Sequence, residues 1–236
     1  MRCIIHLLFL TLLIFFTTLA NAGIIGTVTS VEGSVKLKKA DSIMKKKVIV
    51  GSNIEDGDLV TTSKKASAVI KLIDNSSVIL DARTTIHFIS KSMVEQKDGK
   101  IFYKITTKNT KNALKIKTSF AIIGIKGTTF VVDASENKSV KLKEGSIGIA
   151  SIKKDFKLYR RKIQQEFENS VSQENAEFEK FKNEYNKYKM PELTKEFTMK
   201  SGHNLSFDGH KVSEDPLTKN DYKEFTYFES LLGIVK

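Results

Sequence analysis

Cysteine is almost absent from this chain, with Cys3 the single example in 236 residues. One thiol closes no intrachain disulfide and builds no cysteine-rich zinc site, so stability has to come from packing. Proline is nearly as scarce: Pro191 and Pro216 are the two present, so no ladder before position 191 lacks a backbone donor. Arginine is confined to Arg2, Arg83, Arg160 and Arg161. The positive charge therefore consists of lysine point charges rather than planar guanidinium forks, and no nucleic-acid partner is expected. Beyond the first 22 residues the histidines are His87, His203 and His210. No base, nucleophile and orienting group stand together, so we expect no enzyme, no cofactor and no metal site. His203 and His210 bracket a turn-rich segment with Asp208 between them, but their spacing fits no zinc pattern and the expectation is exposed loop positions.

What is present is charge and periodicity. The chain carries 39 Lys+Arg against 27 Asp+Glu, a net +12, beside a 40% hydrophobic fraction that suffices for a core. Arg2, an apolar stretch from Ile4 to Leu19 and the small-residue end Ala20-Asn21-Ala22 form the three-part pattern of a signal peptide, shorter than a membrane-spanning helix. Residues 1–22 are thus expected to be a signal peptide cleaved after Ala22, with an uncleaved anchor as the alternative. The protein would be periplasmic or otherwise exported, with no transmembrane span once the signal is gone. Residues 23–152 hold 22 basic and 12 acidic residues, whereas residues 153–236 hold 16 and 15. The first part favours anionic partners; the second is nearly neutral.

Residues 23–152 read as a β domain. Val35/Leu37, Ile86/Phe88, Ile101/Tyr103/Ile105, Leu114/Ile116, Val140/Leu142 and Ile147/Ile149 alternate with polar or small residues, and turn signals such as Glu32-Gly33, Asp56-Gly57, Asp98-Gly99 and Glu144-Gly145 separate them. About ten strands are expected. Denser runs, Ala68–Ile73, Ser77–Leu80, Phe120–Ile123 and Phe130–Val132, read as strands with both faces partly covered. Glu32-Gly33-Ser34-Val35 is echoed by Glu144-Gly145-Ser146-Ile147, which points to equivalent steps at the two ends of one stacked or rolled structure. Residues 153–190 then show apolar spacings of three and four, the pattern of a long amphipathic helix or two helices with a bend. Residues 191–236 read as a small β-hairpin and a short closing helix. Gly124-Ile125-Lys126-Gly127-Thr128-Thr129 has some of the glycines of a phosphate loop, but a strand follows it where a helix would be needed. A tight β connection is the expectation.

In their order, Gly26-Thr27-Val28, Val31-Glu32-Gly33, Gly57-Asp58, Val60-Thr61-Thr62, Leu72-Ile73-Asp74-Asn75-Ser76, Gly124-Ile125-Lys126-Gly127-Thr128-Thr129-Phe130 and Glu144-Gly145-Ser146-Ile147 resemble the FecR domain family. The Gly-x-x-Gly-Thr-x-Phe step is the most specific of these pieces. The resemblance spans about residues 24–152 and implies an extracytoplasmic, β-solenoid-like or rolled β module. It is known in iron-transport regulators that relay receptor occupancy to a cytoplasmic sigma factor. It also implies a structural motif, Gly33, Gly57, Asp58, Gly124, Gly127, Thr128, Phe130 and Gly145, with no catalytic residue among them. Here the module is expected to stand alone, without a sigma-regulating cytoplasmic segment.

Three functional readings follow. One is a periplasmic module that binds or scaffolds an envelope protein, with the stripe Phe178, Phe181, Tyr185 and Tyr188 as a contact or as a face docked on its own core. A second is attachment to an anionic cell-envelope polymer or membrane surface through Lys36, Lys38, Lys39, Lys45, Lys46 and Lys47. A third is the periplasmic part of a signal-relay or transport-regulation system.

Overall fold

A computed structural model describes residues 23–106, 113–160 and 191–233. The period-two segments form strands β1 (Ile24–Glu32), β2 (Val35–Lys38), β3 (Lys45–Lys47), β4 (Asn53–Glu55), β5 (Asp58–Thr62), β6 (Ser67–Leu72), β7 (Ser77–Leu80) and β8 (Thr85–Ser90). They continue as β9 (Met93–Asp98), β10 (Lys100–Lys104), β11 (Lys115–Lys117), β12 (Ile122–Asp133) and β13 (Ser139–Ala150). After these come β14 (Phe156–Arg160), β15 (Glu192–Thr194), β16 (Glu196–Lys200), β17 (His203–Asp208), β18 (Lys211–Pro216) and one helix, α1 (Lys219–Leu231).

The long β12–β13 hairpin organises the rest, because each of its strands belongs to two branches of sheet. From its Thr129–Asp133 half the ladder runs through β10, β7 and β6 to β1. From its Ile122–Gly124 half it runs through β11, β9, β8 and β5 to β2 and β3. The inward residues of both branches, among them Val28, Ile70, Tyr103 and Phe130 on one and Val60, Ile86, Val94 and Ile123 on the other, fall in one hydrophobic cluster. Mainly β architecture is thus realised. Solenoid-like stacking is not: coil-on-coil stacking needs parallel ladders, and among the described pairs only β9–β11 and β14–β18 are parallel.

The internal echo has a structural basis. Glu32 lies opposite Ser67 and Glu144 opposite Thr129, and at both places the chain passes from one branch to the other. Gly33 and Gly145 both have positive φ, and a Cβ on either would sit 2.6 Å from a carbonyl oxygen, that of Lys65 or Gly127. Those two facing residues share a φ of 58°. Each Glu-Gly-Ser step is therefore one half of a corner where two strands bend together, and only a residue without Cβ lets the backbones approach so closely.

Three of the dense apolar runs, at 68–73, 77–80 and 130–132, owe their second covered face to α1, whereas Phe120, Ala121 and Ile123 lie in the main core, with Phe120 against Phe207. Val69, Ile79, Phe102 and Val131 point away from the main core and pack with Phe225 and Phe228 of the helix, forming a separate cluster. A side chain of this kind contributes roughly 1.5–3 kcal/mol when fully buried. The helix starts where Thr218 caps it: the Thr218 side chain accepts from the Asp221 amide while the Asp221 carboxylate accepts from the Thr218 amide.

The expected helix from position 153 is corrected at its start. Phe156–Arg160 is β14, parallel to β18, because Phe156 and Leu158, two residues apart, both enter the core. The remainder, residues 161–190, lies outside the described residues, as does the expected signal segment 1–22. Strands β16 and β17 hydrogen-bond to β13 and so extend the same sheet. Among the described residues no helix is long and apolar enough to cross a membrane.

Candidate functional site

Most residues of the expected motif act on the chain's own architecture. Gly57 has φ +84°, donates its amide to the Phe88 carbonyl at 2.6 Å and leaves no room for a Cβ beside Ala40. Asp58, next to it, is fully buried and accepts from the Glu55 amide at 2.9 Å and from Lys39 Nζ at 3.0 Å. Burial pulls the Lys39 pKa down, but its hydrogen bonds to Asp58 and Glu55 outweigh that and hold it above the ordinary lysine value. Lys39 is thereby withdrawn from the expected lysine cluster. Gly127 turns with positive φ so that the Thr128 amide and carbonyl can exchange hydrogen bonds with Ile105. Phe130 stacks on Tyr103, with ring centroids 5.0 Å apart. The Tyr103 hydroxyl donates to Gln96 Oε1, and Gln96 Nε2 donates in turn to the carbonyls of Gly99 and Val132. This closes a satisfied polar network inside the core.

Gly124 is different. It lies opposite Gly148, and for both the Cβ position has nothing within 4 Å. Neither has positive φ. Glycine in a strand interior weakens the strand and often marks a place where another backbone or a ligand comes close. A row across four strands, Lys115, Gly124, Gly148 and Thr198, floors an open groove of about 600 Å³, with Ala150 and Glu196 in the adjacent row.

The lysines divide into two populations. Lys100, Lys141 and Lys143 receive the helix: Lys141 Nζ lies 2.8 Å from Asp221 and 2.7 Å from Glu224, Lys143 Nζ lies 2.6 Å from Glu229, and Lys100 also pairs with Glu224. Burial pulls the Lys141 pKa down, but Asp221 and Glu224 outweigh it and raise the net value. For Asp221 and Glu224 burial acts upward, and the lysine hydrogen bonds, with Thr218 helping at Asp221, bring both below their ordinary values. The carboxylates therefore contribute stability that is complete above their unfolded values, 3.8 and 4.5, and is lost as pH falls through the lower folded values. Lys141 contributes stability that is complete below 10.5 and is lost as pH rises through its higher folded value. Urea midpoints should be flat across the neutral range and fall at both extremes, and Glu224→Gln should make the acid loss shallower. An acid limb unchanged in that variant would contradict the assignment.

Lys45, Lys46 and Lys47 form the second population. They make up β3, whose only described ladder partner is β2, with Lys47 opposite Lys36 and Lys45 opposite Lys38. Like charges directly opposed on a ladder repel, and lysine on a sheet edge blocks edge-to-edge pairing. None of these five lysines has an ion-pair partner among the described residues.

Phe178, Phe181, Tyr185 and Tyr188 lie outside the described residues. His203 sits at one end of the β17–β18 hairpin and His210 at its turn, roughly 20 Å apart along the strand, so they do not converge. No cluster of three or more His, Cys, Asp or Glu side chains placed to hold a metal occurs among the described residues. Sequence reasoning missed the Gly124–Gly148 floor, although the two glycines sit in runs of alternating Ile that no turn interrupts. It also missed the helix-receiving lysines, whose partners are 80 or more residues away.

No curated protein matches the chain. Two crystal structures of a proposed anti-sigma factor from Parabacteroides distasonis ATCC 8503 are similar to it at 12% identity each, with TM-scores of 0.47 and 0.46. Each alignment covers 71% of this chain, which spans 64% and 63% of theirs, less than two thirds of their length. The family described as FecR protein matches residues 58–148, the stretch that runs from the buried Asp58 through the Gly124–Phe130 step to Gly148. Residues 58–148 of the β unit are therefore a FecR domain.

Proposed function

We propose that the chain is an exported, non-enzymatic FecR-domain protein that regulates by binding a protein partner in the periplasm, as the periplasmic part of a signal-relay system. The observation that carries this reading is the Gly124–Gly148 floor inside the FecR domain. It lacks side chains where the chain's own packing would accept them, and it is bordered by Lys115, Thr198 and Glu196. A bare backbone floor suits close approach by another polypeptide. Export is supported by the pattern of residues 1–22, and the non-enzymatic reading by a sequence in which no base, nucleophile and orienting group stand together.

Gly148→Val tests it. A Cβ there meets nothing within 4 Å, so the unfolding free energy from urea denaturation should stay within about 0.5 kcal/mol of the parent or rise slightly. Co-purification of an envelope protein from crosslinked cells should be lost, and in the parent it should persist at high salt. Equal capture by parent and variant would refute the groove as the contact.

A further inference from the structure

Of eleven large hydrophobic side chains that stand exposed among the described residues, four fall within eight consecutive positions: Ile43 at 95% exposure, Met44 at 70%, Ile49 at 64% and Val50 at 60%. These flank β3, the all-lysine edge strand. Clustered exposure of this size is unusual on a protein surface and marks a place of contact. The arm that carries it, residues 35–50, is anchored in the core by Val35, Leu37 and Val48, while β3 has β2 as its only described ladder partner and the Cβ position of Gly51 just beyond has nothing within 4 Å.

We propose that this arm inserts into the surface of an anionic lipid bilayer. Lys36, Lys38, Lys45 and Lys47 share one face of the β2–β3 ladder as two directly opposed pairs with no counter-ion among the described residues. Headgroup phosphates supply the missing negative charge, and the acyl boundary takes up Ile43, Met44, Ile49 and Val50. A bilayer is favoured over an acidic protein for two reasons. The apolar side chains stand more than half exposed at both ends of the lysine strand, and a fluid acyl boundary takes up such separate side chains without needing a shaped counterpart. Lysine, a hydrated point charge, suits a fluid layer of phosphates better than it suits fixed bidentate pairing. The inference goes beyond the proposed partner groove and involves none of its residues.

The chain contains no tryptophan, so Ile43→Trp in the full-length protein gives a single reporter at the arm. With vesicles of phosphatidylglycerol and phosphatidylcholine its emission should shift to the blue and be quenched by lipids brominated below the headgroup. Pure phosphatidylcholine should leave it unmoved. Lys45→Ser and Lys47→Ser should each weaken the response about fivefold, and raised salt should weaken it further. Gly148→Val should leave it unchanged, which separates this result from failure of the groove reading. No shift on anionic vesicles, or an equal shift on neutral ones, would overturn the proposal. So would a shift produced by soluble polyglutamate and not by vesicles, which would assign the arm to an acidic macromolecule.

Discussion

Gly145→Ala should cost about 3–5 kcal/mol of folding stability, a large share of the roughly 5–15 kcal/mol a domain possesses. Two effects add. Gly145 has φ +89°, where an L side chain is strained, and its Cβ would lie 2.6 Å from both the Gly127 carbonyl oxygen and Thr128 Cγ2. The oxygen belongs to backbone held by the corner itself, so neither strand can yield without moving the ladder beside it. Gly33→Ala, at the equivalent corner facing Lys65 and Ala66, should behave alike. Gly148→Ala, three residues further along the same strand, is the control: its Cβ meets nothing, and it should be neutral or slightly stabilising. Urea denaturation at constant slope measures all three. Equal midpoints for the alanine variants at 145 and 148 would contradict the corner geometry.

The second large effect is expected at the helix. Phe228 is 1% exposed and stacks on Phe102 with centroids 5.4 Å apart, and Phe225 meets the same ring edge-on at 6.3 Å. Phe228→Ala should cost about 3–5 kcal/mol, in the range for removing a buried aromatic side chain. Its distinctive signature is where the loss appears. Because the helix rests on a cluster separate from the main core, amide exchange should accelerate first in residues 219–231 and only later in β10 and β12. The Lys100, Lys141 and Lys143 ion pairs cannot replace the lost contact, since partly exposed pairs contribute little by themselves. A loss under 1 kcal/mol, or uniform acceleration across the sheet, would show that the helix is not an independent cover.

Much of the β unit was legible because burial on one face imposes period two. Val35/Leu37, Ile86/Phe88 and Val140/Leu142 are all inward pairs. The dense run Ser77–Leu80 announced two covered faces, but what covers Ile79 is a helix about 150 residues later, and no local pattern encodes such a partner. Phe156 and Tyr159 read as the start of a helix because later apolar residues continue at three and four, but the pair that enters the core is Phe156 and Leu158. The first five residues follow the parallel ladder with β18 instead, a tertiary choice that overrides the periodicity. At the candidate site the motif glycines were visible by type, but not by meaning. Gly145 and Gly148 are indistinguishable as letters; the first is required by a backbone oxygen at 2.6 Å and the second faces open space. The lysine arm was visible as charge. Its apolar side chains were not, because Ile43, Met44, Ile49 and Val50 look like core residues until the register leaves them outside.

The central claim, that the glycine-floored face of the FecR domain receives a protein partner, is tested most directly by a photoreactive residue at Thr198, which is exposed and opposite Gly148. In intact cells, illumination should join the chain to one envelope protein, insensitive to salt at lysis and absent when Gly148→Val is introduced in the same chain. An adduct unaffected by that substitution, or crosslinks formed only within the chain itself, would contradict it.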